Sequence, residues 1–117
     1  MEKKTGGCQC GKVRYEVEID LVQPVVECNC SICQGKGMIL SFVSHEQMNI
    51  TSGEEALTEY RFNTGKITHL FCNTCGVQAF SRGIGPDGKP TYAINVRTID
   101  AIDLSTLNRM PYDGKSK

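Results

Sequence analysis

The sequence predicts a mostly β fold, and two observations lead to that fold class. Between residues 13 and 20, apolar side chains alternate with charged ones, which is the period of a strand with one buried face. Later apolar stretches are also short and are separated by turn-forming residues, as at 83–90, and no stretch has the spacing of a long helix. A chain of 117 residues with this pattern is expected to form one domain, residues 1–117, whose small core bound metal would strengthen.

The same patterns predict the individual elements. In chain order, strands are predicted at 13–19, 25–28, 38–43, 47–51, 57–62, 67–72, 77–81 and 92–96. A hairpin turn is expected at 63–66, one short helical turn within 99–107, and a surface extension at 110–117. The segment 34–37 is too rich in glycine for a helix and is predicted to be a mobile loop.

Composition limits the kinds of binding partner and the cellular compartment that are expected for the protein. Lys and Arg number 13, as do Asp and Glu, so the formal net charge of zero does not favour nucleic acid or an anionic membrane as a partner. The apolar runs are far shorter than a membrane span. The N-terminal residues lack the apolar core of a secretory signal, so a cytoplasmic location is expected. The oligomeric state is not predictable from these features.

Cysteine spacing predicts metal binding. The seven cysteines fall into three groups: Cys8 and Cys10; Cys28, Cys30 and Cys33; and Cys72 and Cys75. Their number is odd and they stand in C-x-C and C-x-x-C pairs, which favours metal ligation over disulfides in a reducing compartment. One turn that carries two such thiols delivers two sulfur atoms to one ion.

We expect the seven thiols to divide into four and three. The first and last pairs are each followed by glycine, at Gly11 and Gly76, and together they supply the four sulfurs of a closed structural zinc site. Cys28, Cys30 and Cys33 remain, and three thiolates leave one position on zinc open for a thiol ligand. Such a thiol would lose its proton and become a nucleophile.

Other interpretations of the three-cysteine motif stay open on the sequence alone. His45 or His69 could supply the fourth ligand and close a purely structural site, although His69 is expected to be a strand residue nearer the four-cysteine site. A redox C-x-x-C at Cys30 and Cys33 is less favoured, because no βαβ pattern surrounds it. Lys36, three residues beyond the motif, could meet a substrate carboxylate.

The motifs resemble those of the glutathione-dependent formaldehyde-activating enzyme family, which includes centromere protein V. The matching segments are GCQCG at 7–11, CNCSIC at 28–33, FCNTCG at 71–76 and INVRTID at 94–100. The chain has Asn29 and Gln34 where members often carry a histidine and a basic residue.

The resemblance implies a β-tent of several short antiparallel sheets around a structural zinc held by Cys8, Cys10, Cys72 and Cys75. It also implies a second zinc, making two Zn²⁺ per chain, on the catalytic ligands Cys28, Cys30 and Cys33. The family activity it implies is a carbon–sulfur lyase or synthase that adds glutathione to formaldehyde to give S-(hydroxymethyl)glutathione. The alternative is a non-catalytic module that binds glutathione or another small thiol, or that serves as a zinc-stabilised protein-interaction domain.

Overall fold

The structure is a computed structural model, and it describes residues 1–61 and 66–116. Within those residues the strands are β1 (Glu2–Gly7), β2 (Arg14–Ile19), β3 (Val25–Cys28), β4 (Leu40–Ser44), β5 (Met48–Ser52), β6 (Leu57–Tyr60), β7 (Thr68–Cys72), β8 (Phe80–Ile84), β9 (Pro90–Asn95) and β10 (Arg109–Tyr112). The helix α1 spans Ser31–Lys36, and single 3₁₀ turns lie at His45–Gln47, Glu54–Ala56, Val96–Thr98, Leu104–Thr106 and Gly114–Ser116.

The strands form two sheets. The smaller sheet has three strands in the order β1-β2-β5, and the larger has seven in the order β10-β3-β4-β9-β8-β7-β6. Every pair is antiparallel except β10 with β3, which run parallel from Arg109 beside Val25 to Tyr112 beside Cys28. The predicted mostly β fold is therefore confirmed, with one parallel pair at an edge of the larger sheet.

The main core lies between the two sheets. The alternation predicted for 13–19 brings Tyr15, Val17 and Ile19 inward from β2, each about 1% exposed. The ring of Tyr15 meets Phe80 of the larger sheet edge to face, with centroids 6.1 Å apart, and its hydroxyl lies 2.8 Å from Oγ1 of Thr98. A buried tyrosine is stable here because its hydroxyl has this hydrogen-bond partner.

A second, smaller cluster occupies the opposite face of the larger sheet. Ile94 of β9 belongs to the main core, whereas its neighbour Ala93 packs with Cys33, Met38 and Leu40. Successive side chains of a strand point to opposite faces, so this second cluster lies on the outer face. The helix α1 covers part of that face and carries Cys33 into it.

Two of the sequence-based predictions were wrong, and one strand was missed. The predicted loop at 34–37 instead contains the end of α1, whose last residue is Lys36. The next residue, Gly37, has a left-handed φ of 68°. A glycine in that conformation ends a helix, so glycine here marks the helix end and not a loop. The predicted extension at 110–117 instead holds β10, and β1 was not predicted at all. Apart from Lys66, the turn predicted at 63–66 lies outside the described residues.

No helix in the described part of the chain is long and apolar enough to cross a membrane.

Candidate functional site

The first group of thiols gathers at one end of the two sheets. The four-thiol cluster consists of Cys8, Cys10, Cys72 and Cys75, whose sulfur atoms all lie within 4.8 Å of one another. The first pair follows β1 of the smaller sheet, and the second pair begins at Cys72, the last residue of β7 in the larger sheet. Each pair precedes a glycine with positive φ, 83° at Gly11 and 78° at Gly76, a conformation that favours glycine.

The sulfur spacing in this cluster fits a tetrahedral metal site. Sγ of Cys10 lies 3.6 Å from that of Cys8 and 3.7 Å from that of Cys72. Four sulfurs at about 2.3 Å from a central zinc ion would stand roughly 3.8 Å apart, whereas a disulfide would need about 2.05 Å. All seven cysteines are free thiols, so the donor set is available to a metal ion and is consistent with zinc.

The pKa values of these thiols also favour the binding of a cation. The amide of Val77 is the main cause that lowers the pKa of Cys75 to about 6. The amide of Lys12 lowers the pKa of Cys10, but burial and the neighbouring thiols outweigh it and raise that pKa to about 11. Deprotonating several thiols this close together is unfavourable, because their negative charges repel one another. A bound metal ion offsets that repulsion, and its thiol ligands are deprotonated.

The second group is the thiol trio of Cys28, Cys30 and Cys33, whose sulfur atoms lie within 4.8 Å of one another. Cys28 ends β3, Cys30 is the residue that caps α1, and Cys33 sits inside the helix. Burial opposes ionisation of Cys30, but hydrogen bonds from the amides of Cys33 and Ile32 and from the other thiols lower its pKa overall. Burial raises the pKa of Cys33. A strand end followed by one helical turn thus brings three sulfurs to one point.

Within residues 1–61 and 66–116, no histidine, aspartate or glutamate joins the trio as a fourth ligand. His45 begins a 3₁₀ turn with its side chain 40% exposed, next to Glu46. His69 is buried, and its Nδ1 lies 3.3 Å from Nε2 of Gln78. The closed alternative with three cysteines and one histidine therefore finds no support in the described residues.

His69 nevertheless lies at the trio's cavity, contrary to the expectation that it would sit nearer the four-thiol cluster. Nζ of Lys36 donates to Oε1 of Gln78 at 2.7 Å, so the amide nitrogen of Gln78 faces His69 and donates to Nδ1. A neutral His69 then carries its proton on Nε2. Burial, followed by the charge of Lys36, lowers the pKa of His69 and favours this neutral form.

The trio opens on a cavity of about 570 Å³ on the outer face of the larger sheet. Its lining is mostly apolar and consists of Val26, Cys28, Cys30, Ile32, Cys33, Met38, Leu40, Phe42, Ile67, His69, Ser81, Ala93, Met110 and Tyr112. Among the residues that the structure describes, no Lys, Arg, Asp or Glu lines this cavity. The volume lies within the range of small-molecule sites, about 300–1,000 Å³.

One wall of the cavity comes from β10 and the residues after it. Asn29, inside the cysteine motif, donates from Nδ2 to Asp113 at 3.0 Å and accepts from the amide of Lys115 at 2.8 Å. These bonds hold Gly114 so close that a Cβ there would come within 2.5 Å of Sγ of Cys28. Sequence analysis missed this wall because only long-range pairing with β3 reveals it.

Comparison with known proteins identifies the family of the chain. Residues 3–110 match the sequence profile of the family described as glutathione-dependent formaldehyde-activating enzyme. A crystal structure of a protein from Rhodobacter sphaeroides, a structural-genomics target, superposes with a TM-score of 0.78. The two chains are 30% identical, and the match covers 92% of this chain and 97% of that one. The chain therefore belongs to the glutathione-dependent formaldehyde-activating enzyme family.

Proposed function

We propose that the protein is a zinc-dependent carbon–sulfur lyase of the S-(hydroxymethyl)glutathione synthase type, joining the thiol of glutathione to formaldehyde or a related small electrophile. One observation carries the proposal: the trio opens on a cavity of about 570 Å³, and no fourth protein ligand from the described residues stands beside it. A metal held by three thiolates keeps a position for substrate. Family membership supports glutathione-related chemistry of this kind.

The two thiol groups take different roles in this proposal. Cys8, Cys10, Cys72 and Cys75 hold a structural zinc that joins the two sheets, and Cys28, Cys30 and Cys33 hold the zinc of the reaction site. Zinc in such a site supplies a Lewis-acidic position at which an incoming thiol loses its proton. A substrate bound against the apolar walls of the cavity would displace water from them, which would strengthen the electrostatic interactions beside it.

The reaction also needs a partner for the carbonyl oxygen. As the carbon–sulfur bond forms, the electron pair of the carbonyl moves to oxygen, which takes up the proton that the thiol lost. His69 and Ser81 lie side by side on neighbouring strands and both line the cavity. We assign them to orient the oxygen through hydrogen bonds, with His69 in its neutral form.

The test is the rate of hydroxymethyl exchange between glutathione and formaldehyde, measured by exchange NMR above the spontaneous rate in buffer. The wild-type protein is expected to accelerate exchange, and Cys30→Ser to return it to the spontaneous rate. Native mass spectrometry of both proteins is expected to show two zinc ions in the wild type and one in the variant. Acceleration that survives in Cys30→Ser would contradict the proposal, and a saturable glutathione complex without acceleration would favour a carrier.

A further inference from the structure

The cavity beside the trio continues into a second cavity of about 560 Å³. The two share Phe42, Ile67, Ser81 and Ala93 in their walls, so they form one depression along the outer face of the larger sheet. We call this depression the apolar groove. Its far part adds a further set of lining residues: Lys66, Gly83, Ile84, Gly85, Pro86 and Thr91.

Strand register explains why the groove is continuous. Phe42 of β4 pairs with Ala93 of β9, and Ser81 of β8 pairs with Ala93 on its other side. Ser81 in turn pairs with His69 of β7. Cross-strand partners share a face of a sheet, so this row crosses four strands as the floor of the groove and reaches His69, which lines the trio's cavity.

The groove leaves large apolar side chains in solvent. Phe42 is 59% exposed, Ile67 52% and Ile84 69%, and Met110 and Tyr112 on the wall beside the trio are about half exposed. These five line the groove, and among the described residues only three other large hydrophobic side chains are exposed. Concentrated apolar exposure in a concave site indicates a ligand with an apolar surface.

The groove is much larger than formaldehyde requires. Formaldehyde has only two non-hydrogen atoms, and glutathione, which would enter through its thiol, carries charged groups at its ends. The two halves of the groove each have the volume of a site for a drug-sized molecule and are lined mostly by apolar side chains. Its single charged lining residue among those described, Lys66, lies in the half away from the trio. A substrate whose reacting carbon sits at the trio would therefore lay the rest of its structure against apolar side chains.

We propose that the groove binds the alkyl or aryl group of the electrophile, so that the preferred substrate is an aldehyde with a long chain or an aromatic ring. This inference rests on the proposed function. The step is the addition of a thiol to an aldehyde: the carbon–sulfur bond forms, the carbonyl electron pair moves to oxygen, and oxygen takes the proton that the thiol loses. The product is a hemithioacetal, and no oxidant or reductant is needed.

Binding is tested with two thioethers that differ only in chain length, S-hexylglutathione and S-methylglutathione, by isothermal titration calorimetry on the zinc-loaded protein. The hexyl compound is expected to bind about a hundredfold more tightly, which is about 2.7 kcal/mol, or three to four buried methylene groups. Equal affinity for the two compounds would overturn the inference.

Two variants test whether the hexyl group binds in the apolar groove. Phe42→Ser is expected to weaken S-hexylglutathione about tenfold and S-methylglutathione much less, because it removes apolar surface from the middle of the groove. Val22→Ser is the matched control, since Val22 is 80% exposed and lines neither cavity of the groove. If Phe42→Ser instead splits a dimer in native mass spectrometry and spares hexyl binding, the face joins two copies of the chain and the inference fails.

Turnover separates this inference from the proposed function. The wild-type protein is expected to have a higher kcat/KM for hexanal than for formaldehyde, both with glutathione. A preference for formaldehyde would overturn the inference and leave the proposed function in place. If neither aldehyde reacts faster than in buffer while S-hexylglutathione still binds more tightly, the proposed function fails and the groove stands as a site for apolar thioethers.

Discussion

Replacing Cys10 by serine removes one ligand of the four-thiol cluster and leaves the core between the sheets in place, because Cys10 is exposed. The cluster joins two segments far apart in sequence, since Cys72 follows Cys10 by 62 positions. The trio, by contrast, lies within one short stretch, from Cys28 to Cys33. Loss of a bound metal should therefore destabilise the fold far more at the cluster than at the trio.

The magnitude follows from the length of the closed loop. A cross-link that closes a loop of 62 residues restricts the unfolded chain by about 4 kcal/mol. Unfolding entropy of about 2.1 cal/mol/K per residue, over 117 residues, converts this into a fall in Tm of about 15 °C. Cys10→Ser is expected to show that fall by differential scanning calorimetry of the metal-loaded protein, with one fewer zinc by native mass spectrometry.

Cys30→Ser is the matched comparison, because it also removes one thiol and one metal ion but opens only a local loop. Its Tm is expected to fall by only a few degrees. Equal losses of Tm in the two variants would refute the reasoning from loop length. A change of less than about 5 °C in Cys10→Ser, with the metal lost, would show that the ion does not hold the sheets together.

Three further outcomes follow from the site. As pH falls from 8 to 5, the trio should release its metal at a higher pH than the four-thiol cluster, because it holds the ion by three thiolates instead of four and burial raises the pKa of Cys33; a zinc indicator measures this, and release in the reverse order would contradict it. Asn29→Ala removes two hydrogen bonds to the segment after β10, so amide exchange in 109–116 should accelerate severalfold by mass spectrometry, with Asn49→Ala, at an exposed position of β5, as an unaffected control. Gly114→Val places a side chain against Cys28, so it should lower zinc occupancy to one per chain at nearly unchanged Tm; two retained zinc ions would contradict the close approach.

Local patterns in the sequence were enough to predict much of the fold and the membership of the two thiol groups. The alternation at 13–19 predicts the buried face of β2. The cysteine pairs that begin at Cys8 and Cys72 are predicted to come together in space, because each supplies half of a four-sulfur ligand set. Such features depend on residues close in sequence or on a strict chemical requirement for four ligands.

The rest of the site depends on contacts between segments that are far apart in sequence, and no local sequence pattern predicts those contacts. β10 has an exposed side chain at every position, so its sequence shows no buried face, and only its parallel pairing with β3 places Met110 and Tyr112 at the trio. β1 is likewise mostly polar and exposed until its last two residues, so its sequence also shows no buried face. The role of Gln78 in orienting His69 arises where β7, the segment before β8 and the helix α1 meet in space.

The wall supplied by β10 has a consequence for the protein during synthesis. Asp113 follows Asn29, its hydrogen-bond partner, by 84 residues. At a translation rate of about 5–20 residues per second, the cysteine motif leaves the ribosome about 4 to 17 seconds before that wall exists. The thiols of the trio are thus open on that side in the nascent chain, and a metal ion that binds in this interval reaches its ligands before the last strand covers Cys28.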